Sequence, residues 1–362
     1  MRIIHVTHSF YPDTGGIETH VYELARELSK KNEVVVYAAG RERRDYLVGK
    51  MLVRIYPSFR IPFTIVNASP WLAIALLFEK GDVFHSHGFF SPYPLLAAKV
   101  AWLKGKPFVF TLHGYPEPSS AVLSLAVKLY GIFAAPIFLT LATRIVSVSE
   151  KGTEKLARYQ KKITIIPNGV GGAFSCKKPF AEQNKITYIG RLSEDKRIGM
   201  LISAFSKLKG RKLALRICGK DFGARKGLEK LAQAAGVDVE FLETPYGRMP
   251  GVYCNSKAVV LPSKYEGMPF VWLEAIACSR PIFSARVGCA EKFFGELFGK
   301  NAEKFLFDDE NELAGKLGAF LKDEQKYAPM VAKARKILLK KSSWGKAAAR
   351  TEKVYKDAVG QE

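Results

Sequence analysis

At 362 residues, with 48% hydrophobic and 12% aromatic content, the chain is long for one core and suits two domains of about 150 to 200 residues each. That composition excludes a disordered protein, and the chain is expected to be globular. A formal charge of +22 and a pI near 9.7 predict attraction to something acidic: nucleic acid, anionic lipid or a phosphorylated substrate. The lysines are spread over both halves with no block forming a tail, and no aromatic-basic interleaving of the single-strand-binding kind appears, so nucleic acid is not the expected partner.

Residues 3 to 7 read as a buried strand, and Ile17, Val21, Leu24, Ala25 and Leu28 supply the apolar stripe of the following helix. The intervening SFYPDTGGIE carries Gly15 and Gly16 just ahead of that helix, where they either form a tight turn or bring bare backbone amides against phosphate. A strand over Glu33 to Ala38 precedes a basic, polar connection from Arg41 to Lys50, and Val53 to Tyr56 is the next strand. A helix near Pro70 to Lys80 leads to the strand Val83 to His87. His85 and His87 share one face of that strand, but no cysteine or nearby carboxylate completes a tetrahedral set, so no metal is expected.

The strand Phe108 to Thr111 delivers Leu112-His113-Gly114 to its carboxyl end; alone, His113 reads as a core histidine with one satisfied nitrogen. Residues 121 to 145 are the most apolar stretch, yet Lys128, Gly131 and Pro136 interrupt it. A kinked helix covering the sheet and lining an acceptor pocket fits better than a membrane span. Further strands (145–148, 163–166) flank a helix over Glu150 to Tyr159. The polar, aperiodic GGAFSCKKPFAEQN after Val170 marks the end of a first domain, residues 1–170.

The second domain, 171–343, opens with the strand Ile186 to Ile189 and the loop Gly190-Arg191-Leu192-Ser193-Glu194-Asp195-Lys196-Arg197 before a clean helical stripe from Ile198 to Leu208. A glycine-ended strand followed by Arg191 and Lys196 suits a diphosphate leaving group, although charge alone also describes a solvated loop. Strands and helices then alternate through residue 255, which predicts parallel sheets with right-handed crossovers. Pro262 closes the strand Ala258 to Leu261. Beyond it lie Glu266, the turn Gly267-Met268-Pro269, and a helix beginning at Phe270 and carrying Glu274. The helix amino end is a seat for an anion such as a diphosphate; a glutamate beside it either stabilises the helix dipole or accepts hydrogen bonds from sugar hydroxyls. Helices near 310–321, 324–339 and 344–359 close the chain. Cys176, Cys218, Cys254, Cys278 and Cys289, an odd and scattered set without a C-x-x-C pair, are expected to be reduced thiols packed as small hydrophobes. With no signal sequence ahead of the first strand, the expected location is cytoplasmic, with peripheral contact at the inner face of an anionic membrane as a further expectation.

Four strings in order, GGIE (15–18), T-x-HG (111–114), GRL…K (190–196) and the E-x7-E pair Glu266 and Glu274 within PSKYEG and LEAIAC, resemble the family 4 retaining glycosyltransferases, and the resemblance covers nearly the whole chain. It implies the GT-B fold, an α/β arrangement of two Rossmann-like domains facing across a cleft, with residues 344–362 as a helix packing back on the first. It further implies transfer of a hexose from a UDP- or GDP-linked sugar to a sugar or lipid-linked acceptor, with retained configuration. In this reading Arg191 and Lys196 clamp the diphosphate, Glu266 and His113 hold the sugar, Glu274 holds the ribose, and Gly16, with Gly15, meets the phosphates. Gly190 and the turn Gly267, Met268, Pro269 and Phe270 complete the donor site. No D-x-D string appears, so basic residues and helix amino ends are expected to replace a metal ion, and no cofactor beyond the donor is implied. A nucleotide-sugar epimerase or a non-catalytic nucleotide-sugar-binding protein of the same architecture is the alternative. The chain departs from the family wording at Arg197 and Ser279, where glycine is usual, and at Gly288-Cys289-Ala290-Glu291.

Overall fold

The computed structural model describes residues 1–12, 15–60, 67–114, 121–208 and 213–360; Asp13 and Thr14 of the first glycine-bearing loop lie outside them. The chain divides into two compact units, Met1–Gly169 with Trp344–Glu362, and Val170–Ser343.

The first unit is an eight-stranded sheet. Its elements are β1 (Arg2–Thr7), α1 (Gly16–Leu28), β2 (Glu33–Gly40), β3 (Arg44–Val48), β4 (Met51–Pro57), the small pair β5 (Phe59–Arg60) and β6 (Asn67–Ala68), and α2 (Pro70–Phe78). Then follow β7 (Val83–His87), α3 (Tyr93–Leu103), β8 (Phe108–Leu112), α4 (Ala121–Phe133), α5 (Ala135–Leu141), β9 (Arg144–Ser147) and β10 (Ile163–Ile165). Strand order is β10-β9-β8-β7-β1-β2-β4-β3, parallel except for β3. The central strands are apolar without alternation because helices cover both faces: Ile3, Ile4 and Val6 of β1 and Phe108, Val109 and Phe110 of β8 are all buried.

The second unit is a six-stranded, wholly parallel sheet in the order β13-β12-β11-β14-β15-β16. It comprises β11 (Lys185–Ile189), α6 (Ile198–Ser206), β12 (Ala214–Cys218), α7 (Arg225–Ala234), β13 (Val239–Leu242), α8 (Met249–Cys254) and β14 (Ala258–Leu261). These are followed by α9 (Phe270–Ala277), β15 (Ile282–Ala285), α10 (Ala290–Phe298), β16 (Leu306–Phe307), α11 (Glu310–Lys322) and α12 (Glu324–Lys341). Its core sets Trp272 and Leu273 of α9 and Phe294 of α10 against Val260 and Phe283 of the sheet. The last helix, α13 (Trp344–Val359), returns to the first unit and packs on α1.

Three expectations are corrected. The Arg41–Lys50 connection contains β3, an antiparallel edge strand whose charged Arg44 and Asp45 mask its periodicity; it turns into β4 through Gly49, where φ is +60°. The helix expected over Glu150 to Tyr159 is instead a kinked 3₁₀ run, Glu154–Lys162, in which Leu156 alone is buried, too little apolar surface to hold a full α-helix. Two of the five cysteines are not thiols: Cys176 and Cys254 form a disulfide. They are 78 residues apart, and the segment after Val170 runs back beside the end of α8, a proximity that spacing could not reveal. The reduced-thiol argument for a cytoplasmic chain therefore fails. No helix among the described residues is long and apolar enough to cross a membrane; the apolar 121–145 stretch is broken at Ala134 into α4 and α5.

Candidate functional site

In the second unit, β11 has β12 on one side and β14 on the other, so the strand order reverses there and the loops leaving β11 and β14 lie side by side at the carboxyl edge, the place where open parallel sheets bind ligands. The first of these loops carries Gly190, Arg191 and Lys196; the second carries Glu266. Gly190 has φ +154°, and a side chain there would strike the Tyr188 hydroxyl at 2.6 Å. Gly219, after β12, is as constrained, since a Cβ would lie 1.7 Å from the Gly190 carbonyl oxygen. Bare backbone thus packs on bare backbone at this edge.

Lys196 is buried, and its Nζ donates to Glu266 Oε1 at 2.8 Å, with Asp195 Oδ2 at 3.5 Å. Burial acts to raise the Asp195 pKa, but the Ser193 hydroxyl, donating at 2.5 Å, and the Lys196 and Arg191 charges outweigh it and hold the carboxyl below its ordinary value. Arg191 is exposed, its guanidinium 5.6 Å from the Phe222 ring centroid. Arg191, Asp195, Lys196 and Glu266 therefore form one charged group drawn from two adjacent loops.

What clamps the two loops together is Arg197, at one of the positions where glycine was the usual residue. It adopts the left-handed conformation that glycine would (φ 47°, ψ 37°), and its guanidinium donates to the carbonyls of Pro262 at 2.8 Å and Ser263 at 3.1 Å. Ser279, the other departure, also has a positive φ, 54°. Both substitutions keep the backbone that glycine would supply. Beside Ser279, the fully buried Arg280 donates to the carbonyls of Tyr253, Lys178 and Cys254 at 3.0, 2.9 and 2.7 Å.

Gly267 accepts a hydrogen bond from the Cys289 thiol at 3.2 Å, Met268 and Phe270 pack against the core, and Pro269 leads into α9 in an extended conformation. Glu274 is buried in α9 and accepts from the Tyr253 hydroxyl at 2.6 Å. Burial and the Glu274 charge push Tyr253 well above the usual phenol range, so it stays a donor. Gly288, which the sequence marked only as a departure, has φ +59°, and a Cβ there would fall 2.2 Å from the Glu266 carbonyl oxygen. Tyr253, Gly219 and Gly288 belong to this arrangement without having been singled out from the sequence for it; the glycines just past β12 and β15 were the available signal.

The first unit has its own reversal, at β1 between β2 and β7. Gly15 precedes α1 in extended conformation, and its missing side chain leaves room for Glu18, whose Oε2 would lie 2.2 Å from a Cβ. Gly16 is α1's first residue, with nothing within 4 Å of where a Cβ would stand. Glu18 accepts from Ser9, and from His8 Nε2 at 3.2 Å; burial alone would raise its pKa, but these partners hold it lowered. A cavity of about 340 Å³ lies beside this loop, lined by His8, Ser9, Gly40, Arg41, Ser58 and Asn67.

His113 follows β8 within a cluster that takes in five of the six histidines. His87 Nε2 lies 3.0 Å from His5 Nδ1, His87 Nδ1 lies 3.4 Å from His113 Nε2, and His20 Nδ1 meets Asn168 Oδ1 at 2.9 Å. His85 lies between the Tyr355 hydroxyl of α13, at 2.6 Å, and Thr111 Oγ1, at 2.7 Å. Burial, reinforced by neighbouring imidazoles, lowers His85, His87 and His113 far below the usual value.

Two family models match the chain: Glycosyltransferase Family 4 over residues 14–171 and Glycosyl transferases group 1 over residues 175–337. An uncharacterized glycosyltransferase of Methanocaldococcus jannaschii is 25% identical over 96% of both chains. The gpi3 subunit of phosphatidylinositol N-acetylglucosaminyltransferase from Schizosaccharomyces pombe is 23% identical over 97% of this chain and 79% of its own. Among solved structures, Anabaena HepE in complex with UDP and glucose superposes with a TM-score of 0.76 at 18% identity over 99% of this chain and 100% of that one. Sucrose-phosphate synthase from Thermosynechococcus elongatus gives 0.74 at 17% identity, with full coverage of both chains. With one model on each half and the same two-sheet fold in its neighbours, the chain belongs to the family 4 glycosyltransferases of the GT-B fold.

Proposed function

We propose that the protein transfers a hexose from a UDP- or GDP-linked donor to a sugar or lipid-linked acceptor, with retained configuration and without a metal ion on the leaving diphosphate. The observation that carries this reading is the Lys196–Glu266 contact of 2.8 Å between the loops leaving β11 and β14, with Arg191 in the same group. An ammonium has three donors. Glu266 and Asp195 engage two of them, and the third, with Arg191, meets the departing diphosphate where negative charge grows. Glu266 accepts from a sugar hydroxyl, Glu274 from the ribose, and the acceptor attacks on the face the diphosphate leaves, with the phosphate oxygen taking its proton. In the first unit, the Gly15–Gly16 turn meets phosphate and His113 donates to the sugar. Donor chemistry of this kind agrees with the HepE complex and with the N-acetylglucosaminyltransferase relatives.

The acceptor side includes peripheral contact with an anionic membrane. Leu125, Leu129, Ile132 and Phe133 of α4 and Ile137 of α5 are exposed, as are Trp71, Ile74 and Phe78 of α2 and Trp102 and Leu103 of α3. Exposed large apolar residues on four packed helices, on a chain of charge +22, suit a lipid interface. Flotation with anionic liposomes at low salt tests this; protein left at the bottom removes the membrane.

The transfer reading is tested by a thermal-shift screen of UDP-, GDP- and ADP-sugars, followed by product analysis with the stabilising donor. A donor that raises Tm and yields an α-linked product with acceptor present supports it. Release of an epimer from donor alone would replace it with an epimerase, and stabilisation without turnover would make the protein a binding module.

A further inference from the structure

The histidine cluster of the first unit holds more ligating atoms than a sugar contact requires. One nitrogen from each of His20, His87 and His113 lies within 4.8 Å of the other two. The hydrogen bonds identify which nitrogens these are. His20 commits Nδ1 to Asn168 at 2.9 Å, which leaves Nε2, a buried atom with no partner in the structure. His87 commits Nε2 to His5 Nδ1 at 3.0 Å, which leaves Nδ1, and that atom faces His113 Nε2 at 3.4 Å. A separation of 3.4 Å is long for a hydrogen bond. It matches the edge of a tetrahedron of ligands about 2.05 Å from a central zinc, roughly 3.4 Å. Ring centroids spaced 5.4 Å (His20–His87), 4.5 Å (His20–His113) and 5.6 Å (His87–His113) bring the three imidazoles around one point.

We propose that His20, His87 and His113 form a three-imidazole site for a first-row transition ion of the Zn²⁺ type, with a fourth position open to water or a substrate oxygen. The outer partners are the kind that orient metal-bound histidine: Asn168 behind His20, and His5 behind His87. Bonding requires the three nitrogens to draw in from within 4.8 Å of one another to about 3.4 Å. The second trio, His5, His85 and His87, is the weaker candidate, because both nitrogens of His85 already lie against hydroxyls. The site uses His113, which the functional proposal gives to the donor sugar, but its test reads binding directly and stands whether or not transfer is found.

The test uses the full chain, stripped with a chelator and titrated with Co²⁺ and Zn²⁺ at neutral pH. The expected result is one ion per chain, a tetrahedral Co²⁺ visible spectrum without a thiolate charge-transfer band, and displacement of Co²⁺ by Zn²⁺. His20→Ala and His113→Ala should each weaken binding at least 10-fold, whereas Cys278→Ser should leave it unchanged. Circular dichroism of the metal-free variants establishes that they fold; His113 is the less buried of the two and serves as the second route should His20→Ala unfold. A thiolate band lost in Cys278→Ser would place the ion on that free thiol and overturn the proposal. So would the absence of stoichiometric binding in the titration, or equal binding by wild type and both histidine variants.

Discussion

Lys196 and Arg197 are neighbours in sequence with opposite duties: one side chain enters the charged group, the other ties its loop to the next. Lys196→Ala should lower kcat by roughly 100-fold or more with a smaller change in donor KM, the signature of a contact strongest in the transition state. Steady-state kinetics checks this; unchanged kcat would remove Lys196 from the clamp. At Arg197 the left-handed backbone costs a non-glycine residue about 1 kcal/mol, and two charge-assisted hydrogen bonds offset it. Arg197→Gly relieves the backbone while losing the bonds and should stay within about 1 kcal/mol of wild type. Arg197→Ala loses the bonds and keeps the strain, and should fall about 1–2 kcal/mol lower than Arg197→Gly in urea melts. The sequence showed that a glycine was missing here; it could not show that Arg197 would keep the glycine's conformation and use its own side chain as the fastener.

At the scale of elements, the two loops at β11 and β14 and the turn before α10 fit only because particular positions lack a Cβ. Gly288→Ala must adopt a positive φ and also displace the Glu266 carbonyl, 2.2 Å from the new atom. It should lose at least about 10-fold in kcat/KM through misplacement of the Glu266 loop, with destabilisation on the order of 1–3 kcal/mol. Donor-binding calorimetry and chemical denaturation measure both effects, and wild-type binding would show the loop to be tolerant. The buried strands were legible because both faces are covered and the residues run apolar without interruption, as in the AVVL of β14. The edge strand β3 was not, because solvent lets it carry Arg44 and Asp45. Lys196 and Glu266 were legible as chemistry, but their 2.8 Å contact is set by the neighbouring positions of β11 and β14 in the sheet, which requires the crossover topology. The Cys176–Cys254 bond and the five-histidine cluster escaped for the same reason: each joins segments far apart in sequence, with no local pattern to announce the meeting.

For the molecule as a whole, the cluster sets how stability responds to acid. Burial, with the charge of neighbouring His20, pushes His5 down to about 3, and burial, against the opposing Asn168 bond, pushes His20 down to about 4. The groups facing them are His85 and His87 of β7, His113 after β8, Asn168, and Trp344 of α13; no carboxylate is among these partners. Unfolded imidazoles titrate near 6.5. Between that pH and about 4, the unfolded chain binds protons that the native chain refuses, so the stability is whole above pH 6.5 and drains away as the pH falls. Each such histidine contributes a slope of up to about 1.4 kcal/mol per pH unit. Tm measured in a chelator should fall by about 5 °C or more between pH 7 and pH 5, and His5→Leu should flatten that decline; a flat profile would mean the cluster is charged or solvated.

The chain passes between its two units twice, at 169–170 and at 343–344. Residues 170–343 are consequently one uninterrupted polypeptide that a single gene fragment can encode, carrying Arg191, Lys196, Glu266 and Glu274 together. The remaining unit has no such shortcut: cutting before Trp344 strips α13 from α1 and takes the Tyr355 hydroxyl from His85, so recombinant dissection will be one-sided, and a recombinant version of the first unit must splice its two ends together.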